Sequence, residues 1–256
     1  MIRKRLLALL VLLALAYTTI CGLLYAKQRQ LIYFPQGTRV SAEHANFELR
    51  RGVVVLRGWL LNPGRARAIV YFGGNGESVQ DNRDLFEQWL PDHSVYLVAY
   101  RGYGASDGKP SQQALFADAV ALWDRVQLAH PRQPVSVVGR SLGSGVASYL
   151  ASQRRIGHLA LVTPFDSLAA VAQSHYPWLP VRWLLRDRYE SARYLARYRG
   201  PMLVIRAGRD EVVPPASTDR LLASLPQRPR VVFLPAADHN TLDQAIYGRS
   251  LAAFFD

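Results

Sequence analysis

Residues 135–145 read Val-Ser-Val-Val-Gly-Arg-Ser-Leu-Gly-Ser-Gly, an apolar run that stops in a serine flanked by glycines. The β-branched residues predict a buried strand, and the small residues after Leu142 predict a tightly packed helix. A strand that becomes a helix within two residues strains the backbone at Ser141 and brings neighbouring backbone close. Gly139 and Gly143 relieve this crowding because they lack a Cβ atom. The pattern therefore predicts a sharp turn that presents the Ser141 hydroxyl beside the first amides of the helix.

A glycine-flanked serine also occurs in ordinary strand-to-helix turns, so its partners decide the interpretation. A serine hydroxyl is a poor nucleophile at neutral pH and needs a base. Three histidines follow the serine in the sequence. We interpret His158, at the beginning of an apolar run, as structural, and His175, in an aromatic-rich segment, as a surface or lid residue. His239 follows a strand predicted over 230–234, where α/β active sites form, so it is the candidate base.

The base in turn needs a carboxylate that orients it. Asp210 lies in the loop after a strand predicted over 201–207, where it can accept the Nδ1 proton of the candidate base. Glu211 is a rival whose side chain should point away, and Asp238 is a rival that adjoins the histidine, although adjacent side chains seldom face each other. Asp243 is interpreted as a solvated or helix-capping carboxylate. Asp210 is therefore the predicted acid.

A glycine-rich turn follows the strand predicted over 68–72 and reads Gly-Gly-Asn-Gly-Glu-Ser from Gly73. Small residues in succession let backbone amides face a developing oxyanion, so we expect the N–H groups of Asn75 and Leu142 to form an oxyanion hole. Plain loop chemistry or a phosphate-binding nest is the alternative. The turn lacks the G-x-G-x-x-G of a dinucleotide fold and the Gly-Lys-Ser/Thr of a P-loop.

Together these segments resemble the α/β-hydrolase superfamily, in particular the membrane-anchored Bem-type proteins and the serine-aminopeptidase-like or monoacylglycerol-lipase-like hydrolases. The motifs that carry the resemblance are Phe72-Gly-Gly-Asn75, Tyr100-Arg-Gly-Tyr-Gly-Ala-Ser-Asp-Gly108, Gly139-Arg-Ser-Leu-Gly143, Gly208-Arg-Asp-Glu-Val-Val-Pro-Pro215 and Asp238-His-Asn240. The resemblance implies an α/β-hydrolase fold and a Ser-His-Asp triad. One position departs from it: many relatives have His-Gly at the oxyanion strand, where this chain has Gly73.

The order of apolar runs indicates an α/β fold of ordinary size. Strands that alternate with helix-length segments predict a mostly parallel central sheet with helices on both faces. The predicted strands are 52–61, 68–72, 94–100, 135–139, 158–163, 201–207 and 230–234. The first of them is expected to belong to an antiparallel hairpin. We assign residues 27–256 to this single hydrolase domain.

A long excursion between two predicted strands, at about 164–199, exceeds the length of one crossover helix. It carries seven aromatic residues and three prolines. Such insertions serve as active-site lids, and we predict a small lid here. Packing of the aromatic side chains that holds a crossover helix to the sheet is an equally weighted alternative.

The N-terminal segment 1–26 is predicted to be a membrane anchor. Three basic residues are followed by 21 uncharged residues, 6–26, which suffice to cross the hydrocarbon core. The basic N-terminus favours a hydrolase domain on the non-cytoplasmic side, periplasmic in a bacterium. A cleaved signal peptide, ending at Ala16 and giving a secreted protein, is the alternative. The single cysteine, Cys21, lies inside this segment and excludes an intrachain disulfide.

The chain is strongly basic, with a formal net charge of +12, and residues 1–26 contribute only three positive charges. Such a charge suits nucleic acid or an anionic membrane surface. The arginines are scattered without a nucleic-acid recognition motif, so we expect no nucleic-acid partner and favour the membrane surface. Ordinary solvation of an arginine-rich surface is the alternative. No metal-ligand spacing such as H-E-x-x-H occurs, and we expect neither a metal nor a cofactor.

The sequence thus predicts a membrane-tethered serine hydrolase in which Ser141, His239 and Asp210 form the triad. We expect a small-molecule acyl substrate, an ester or thioester of small or amphiphilic groups, because the triad and the small lid suit compact acyl chains. An amidase or aminopeptidase-like peptidase with the same triad is the alternative enzyme. A tethered binding module on the same fold is the non-enzymatic alternative.

Overall fold

The computed structural model describes all 256 residues. The strands are β1 (Phe47–Arg51), β2 (Val54–Leu61), β3 (Arg67–Phe72), β4 (His93–Val98), β5 (Ser136–Arg140), β6 (Leu159–Val162), β7 (Met202–Ala207) and β8 (Arg230–Leu234). The helices are α1 (Ile2–Ile32), α2 (Arg83–Trp89), α3 (Gln112–Ala129), α4 (Leu142–Gln153), α5 (Leu168–His175), α6 (Val181–Leu184), α7 (Ser191–Leu195), α8 (Pro215–Ser224) and α9 (Gln244–Phe255).

All eight strands form one sheet in the order β1-β2-β4-β3-β5-β6-β7-β8. Strands β3 to β8 run parallel to one another, whereas β2 pairs antiparallel with both β1 and β4. The mostly parallel sheet and the antiparallel hairpin predicted from the sequence are therefore confirmed. The hairpin partner β1 was not located in advance, because its residues alternate between half-buried and exposed at the sheet edge.

The central strands are buried on both faces, which explains their continuous apolar composition. Every residue of β6 is buried, as is every residue of β4. Helices α3 and α4 contact each other over one face, and α2 packs against α9 on the other. The Trp89 ring of α2 meets Tyr247 of α9 edge-on at 5.0 Å between centroids. Helices thus cover both faces, and the carboxyl ends of the parallel strands remain free to carry loops.

Helix α1 is unbroken from Ile2 to Ile32 and continues past residue 26, where the uncharged stretch ends. It is long and apolar enough to cross a membrane, by its length and composition. Its first twenty residues are exposed, whereas Gln28 and Ile32 near its end are buried against the domain. The helix is therefore a candidate membrane span whose last turns belong to the folded domain.

Between β6 and β7 the chain forms three short helices, α5, α6 and α7. This region corresponds to the insertion predicted at 164–199, and we name residues 164–199 the cap. Its aromatic side chains divide into two groups. Tyr189 is buried against Phe116 of α3, whereas Trp178 and Trp183 are exposed. The predicted packing of aromatic residues that holds this segment to the domain therefore occurs at Tyr189, whereas its use as a lid stays a prediction.

Candidate active site

Ser141 lies between β5 and α4 with a φ of 51°, a left-handed conformation that residues other than glycine rarely adopt. A Cβ atom on Gly143 would overlap the Phe72 carbonyl oxygen, and one on Gly139 would overlap the Gly143 carbonyl oxygen. Helix α4 can lie close to β5 only because residue 139 is glycine, and close to the end of β3 only because residue 143 is glycine. The strained turn predicted from the sequence is therefore present, and it fixes the serine hydroxyl at the carboxyl edge of the sheet.

His239 bridges the serine and a carboxylate. Its Nε2 lies 2.7 Å from the Ser141 Oγ, and its Nδ1 lies 2.7 Å from the Asp210 Oδ2. The other oxygen of Asp210 accepts hydrogen bonds from the backbone amides of Val212 at 3.0 Å and Val213 at 2.7 Å. These amides fix the carboxylate plane, so the histidine has one stable orientation. Ser141, Asp210 and His239 are 8%, 5% and 6% exposed, which shields the three groups from bulk water.

The rival carboxylates lie elsewhere. Glu211 is exposed, and Asp238 is exposed with its Oδ1 accepting the amides of Asn240 and Thr241 at 2.8 Å each. Asp238 therefore shapes the turn after the histidine. Asp243 accepts the Ile246 amide at 2.9 Å and caps α9, as its position predicted.

The two other histidines after the serine also lie away from it. His158 precedes β6 and meets the Phe254 ring edge-on at 5.2 Å between centroids. His175 ends α5 in the cap, where its Nε2 lies 3.0 Å from the Val212 carbonyl oxygen. Both positions agree with the structural and cap assignments made from the sequence.

The two expected oxyanion donors have free N–H groups. Neither the Asn75 amide nor the Leu142 amide donates a hydrogen bond within the protein. The neighbouring Gly74 amide, in contrast, donates to Glu77 at 2.7 Å. A Cβ atom built on Gly74 would lie 3.7 Å from the Ser141 Cβ, so this turn adjoins the serine. Two unengaged amides on adjoining segments are what an oxyanion hole requires.

A partly buried carboxylate, Glu77, holds the glycine turn in place. It accepts hydrogen bonds from the Gly74 amide at 2.7 Å, the Tyr71 hydroxyl at 2.5 Å and the Asn82 amide group at 2.6 Å. It also forms an ion pair with Arg140 at 3.1 Å. Burial disfavours the charge of Arg140, but Glu77, Tyr71 and Tyr247 together outweigh this and hold the pKa of the guanidinium above its ordinary value. We name the glycine-rich turn 73–78, which contains the expected donor Asn75, the oxyanion turn. Glu77 therefore connects the oxyanion turn to Arg140, the residue that precedes the serine.

The oxyanion turn is also bound to the end of α1. The Asn75 side chain donates to the Ile32 carbonyl oxygen at 3.0 Å. The Asn75 carbonyl oxygen accepts from the Phe34 amide at 3.0 Å and from the Tyr103 hydroxyl at 2.7 Å. The side-chain amide group and the carbonyl oxygen of Asn75 are thereby engaged, whereas its backbone N–H is free. The expected oxyanion donor is thus positioned by the last residue of the candidate membrane helix, by Phe34 just after it and by Tyr103.

Comparison with known proteins identifies the family. The family model described as serine aminopeptidase, S33, matches residues 64–194. The uncharacterized protein Rv2307c of Mycobacterium tuberculosis is 36% identical over 254 residues, which cover 93% of this chain and 89% of that protein. The chain belongs to the serine aminopeptidase S33 family of α/β-hydrolases.

More distant similarities agree with this assignment. Protein bem46 of Schizosaccharomyces pombe is 28% identical over 234 residues, which cover 79% of this chain and 76% of that protein. The monoacylglycerol lipase of Paleococcus ferrophilus superposes with a TM-score of 0.63 at 17% identity, over 78% of this chain and 98% of the lipase. The resemblance to α/β-hydrolases stated from the motifs is confirmed, and this hydrolase shares the fold of that lipase.

Two features of the hydrolase were not foreseen from the sequence. The first is the Glu77–Arg140 ion pair. The sequence indicates it only through Arg140, a charged residue inside the glycine-flanked serine motif, and no sequence pattern indicates that Glu77 is its partner. A cavity of about 850 Å³ lies at the amino edge of the strands, beside the ends of α4 and α7. It contains Arg155 and Arg199 and none of the triad residues, so it is separate from the candidate active site.

Proposed function

We propose that this α/β-hydrolase is a serine hydrolase that cleaves carboxylic ester or thioester bonds through a covalent acyl-enzyme. The observation that carries the proposal is the position of His239, within 2.7 Å of both the Ser141 hydroxyl and the Asp210 carboxylate. This hydrogen-bonded series of three side chains converts an inert hydroxyl into a nucleophile, because the base and its orienting acid are already in place.

In the proposed mechanism, Ser141 Oγ attacks the acyl carbon while His239 Nε2 takes its proton. Asp210 stays ionised and stabilises the imidazolium that forms. The free amides of Asn75 and Leu142 donate to the oxyanion of the tetrahedral intermediate. The histidine then gives the proton to the leaving alcohol or thiol. A water molecule, activated by the same histidine, attacks the acyl-enzyme and regenerates the serine.

The charges around the triad favour an ester over a peptide with a free α-amino group. An α-ammonium needs an available carboxylate, and the two carboxylates that contact the triad histidine or the glycine-rich turn are engaged: Asp210 with the histidine, Glu77 with Arg140 and the turn. Burial of the serine suits a compact or thin acyl group. Hydrolysis of amides or peptides by the same triad is the second candidate, because the family description names an aminopeptidase.

We further propose that α1 anchors the enzyme in a membrane with the hydrolase domain on the non-cytoplasmic side. Residues 6–26 carry no charge, and Arg3, Lys4 and Arg5 precede them. A single apolar span with basic residues at its start keeps that end in the cytoplasm. The proposed partners are thus the bilayer and a small acyl substrate, without nucleic acid.

The nucleophile is tested with a fluorophosphonate probe and a set of ester substrates of increasing chain length. Ser141→Ala should abolish labelling and lower ester turnover by about 10⁴-fold or more. Ser144→Ala is the matched control, since Ser144 is buried in the same segment and its hydroxyl makes no hydrogen bond. Unchanged labelling of Ser141→Ala would refute the assignment. Absence of labelling and hydrolysis in the unmodified protein would instead favour a binding module, and a faster matched amide would favour the peptidase.

The anchor is tested by alkaline carbonate extraction and by a C-terminal reporter. We expect the protein to stay in the membrane fraction and the reporter to be accessible from the non-cytoplasmic side. A soluble mature chain that begins at Tyr17 would show instead that the segment is a cleaved signal.

A further inference from the structure

The second half of α1 lies against the cap. The Tyr17 hydroxyl donates to the Trp178 carbonyl oxygen at 2.9 Å. Farther along the helix, the Arg186 guanidinium lies 4.1 Å from the centroid of the Tyr25 ring. The Gln28 side chain then accepts the Arg186 amide at 2.7 Å. Cap residues 178–186 therefore follow the helix axis, with Trp178 at the end that is farthest from the catalytic domain.

This contact sets the depth of the cap in any membrane that α1 crosses. Tyr17 precedes Ala26, the last residue of the uncharged stretch, by nine residues, or about 14 Å at 1.5 Å per residue. The hydrocarbon core is about 30 Å thick, so residues 6–26 fill it. The Trp178 backbone then lies about 14 Å below the hydrocarbon surface for an upright helix, and about 11 Å below it at a tilt of 40°.

The tip of the cap, residues 176–181, is suited to that depth by its composition. It reads Tyr-Pro-Trp-Leu-Pro-Val and carries no charge. Trp178 is 58% exposed and the nearby Trp183 is 89% exposed, so most of the surface of both side chains is not covered by protein. Trp and Tyr are enriched where proteins meet lipid. The nearest charged side chains, Arg182 and Arg186, are long enough to extend toward the headgroups.

The backbone of the tip is suited to lipid as well. Non-helical backbone inside a bilayer must satisfy its polar groups within the protein. The Gln173 side chain donates to the carbonyl oxygens of residues 176, 177 and 179. The Trp178 carbonyl oxygen accepts from Tyr17, and two of the six residues are prolines, which have no N–H. Every carbonyl group of the tip has a donor, and only the Trp178 N–H lacks an acceptor.

We propose that the tip, together with Trp183, inserts into the outer leaflet beside α1 as a second membrane-binding element. The proposal rests on the membrane anchor proposed above. It directs the enzyme to acyl groups of amphiphiles in that leaflet. The oxyanion turn is bonded to Ile32, six residues or about 9 Å along the helix from Ala26, and the neighbouring residues Leu31 and Phe34 have exposed side chains. An acyl ester that rises from the bilayer therefore meets the active-site edge first.

The insertion is tested by tryptophan quenching in the full-length protein, reconstituted into phosphatidylcholine vesicles whose acyl chains carry bromine. These vesicles carry no net charge, so attraction of the arginines to anionic lipid cannot by itself produce the quenching. We expect bromine to quench part of the fluorescence of the unmodified protein and almost none in the double variant Trp178→Phe, Trp183→Phe. Trp59→Phe is the control, because Trp59 is buried in the domain and its loss should leave the quenched component unchanged.

Flotation of the vesicles separates this inference from the anchor proposal. A protein that fails to float contradicts the anchor. A protein that floats but shows no quenching, or keeps its quenching in the double variant, overturns the insertion alone.

The functional consequence is tested with Trp178→Asp. Hydrolysis of an acyl ester dissolved in the vesicles should fall about tenfold, because a carboxylate is disfavoured in hydrocarbon. Hydrolysis of a short water-soluble ester should stay within twofold. Val53→Asp is the matched control at a 99% exposed position in the β1–β2 turn, and it should change neither rate. Equal losses on both substrates, or no loss on either, would refute the role of the tip in reaching bilayer substrates.

Discussion

Replacement of Glu77 by glutamine should weaken both the fold and the oxyanion site. Glutamine keeps the volume of the side chain but removes its charge and one of its two acceptor oxygens. One oxygen of Glu77 now accepts from Tyr71 and Asn82, and the other from Gly74 and Arg140. In either orientation the amide nitrogen of glutamine would face donors, and Arg140 would keep an unpaired charge.

The size of the effect follows from burial. The side chains of Glu77 and Arg140 are 10% and 18% exposed. Breaking a buried ion pair costs about 3–5 kcal/mol, and the residual exposure of Arg140 favours the lower end, about 3 kcal/mol. For a domain of this size each kcal/mol lowers the Tm by about 2–4 °C, so we expect a decrease of about 6–12 °C. Loss of one oxyanion donor costs about 10²–10³ in kcat, and a displaced Asn75 amide should cost about 10–100-fold.

Thermal unfolding and hydrolysis of a short ester measure the two effects in detergent micelles. Glu87→Gln is the control, because Glu87 is exposed on α2 and its carboxylate makes no polar contact. The double variant Glu77→Gln, Arg140→Met should be more stable than Glu77→Gln alone, since it removes the unpaired charge. The reasoning is wrong if Glu77→Gln unfolds at the same temperature as Glu87→Gln. It is also wrong if the stability lost in the double variant equals the sum of the losses in Glu77→Gln and Arg140→Met.

Two further predictions concern individual carboxylates. Asp210→Asn should leave the Tm nearly unchanged and lower ester turnover about 10⁴-fold, because His239 loses the acceptor that selects its tautomer. A larger loss of turnover in Asp238→Asn would show instead that Asp238 is the carboxylate that orients the histidine. Burial opposes ionisation of Asp166, but hydrogen bonds from its ion-pair partner Arg220, from Ser217 and from the Ser167 amide together outweigh burial and hold the pKa of Asp166 below its ordinary value. Because the pKa is lower in the folded state, the pair stabilises the fold above about pH 4 and is lost as the pH falls further. Asp166→Asn should therefore cost about 1 kcal/mol at pH 7 and progressively less below pH 4 in urea titrations, and a pH-independent cost would contradict this.

Local sterics and loop position made most of the candidate site predictable. The turn at Ser141 follows from glycines that remove clashes within a few residues, and His239 and Asp210 follow from their places after predicted strands. Contacts between distant segments were not predictable. Glu77 and Arg140 meet only because β3 and β5 are neighbours in the sheet. Hydropathy placed the end of the anchor at residue 26, whereas the helix continues to Ile32.

Packing against the cap explains why α1 continues so far. Arg29 pairs with Asp187 at 3.2 Å, and the Tyr33 hydroxyl donates to the same carboxylate at 2.9 Å. Burial raises the pKa of Tyr33 above its ordinary value, so this hydroxyl stays protonated and keeps its donor. No periodicity in residues 27–33 predicts the contacts with Asp187, because that residue lies far along the chain.

The absence of a flexible linker between α1 and the domain determines how the enzyme would meet its substrate. A domain on a loose tether samples a hemisphere of solution, whereas this one would keep a fixed face toward the bilayer and turn only about the membrane normal. Encounters would then occur by lateral diffusion within one leaflet. The turnover rate would follow the mole fraction of substrate in the surface rather than its bulk concentration, so diluting the substrate with inert lipid would slow the enzyme even at constant total substrate.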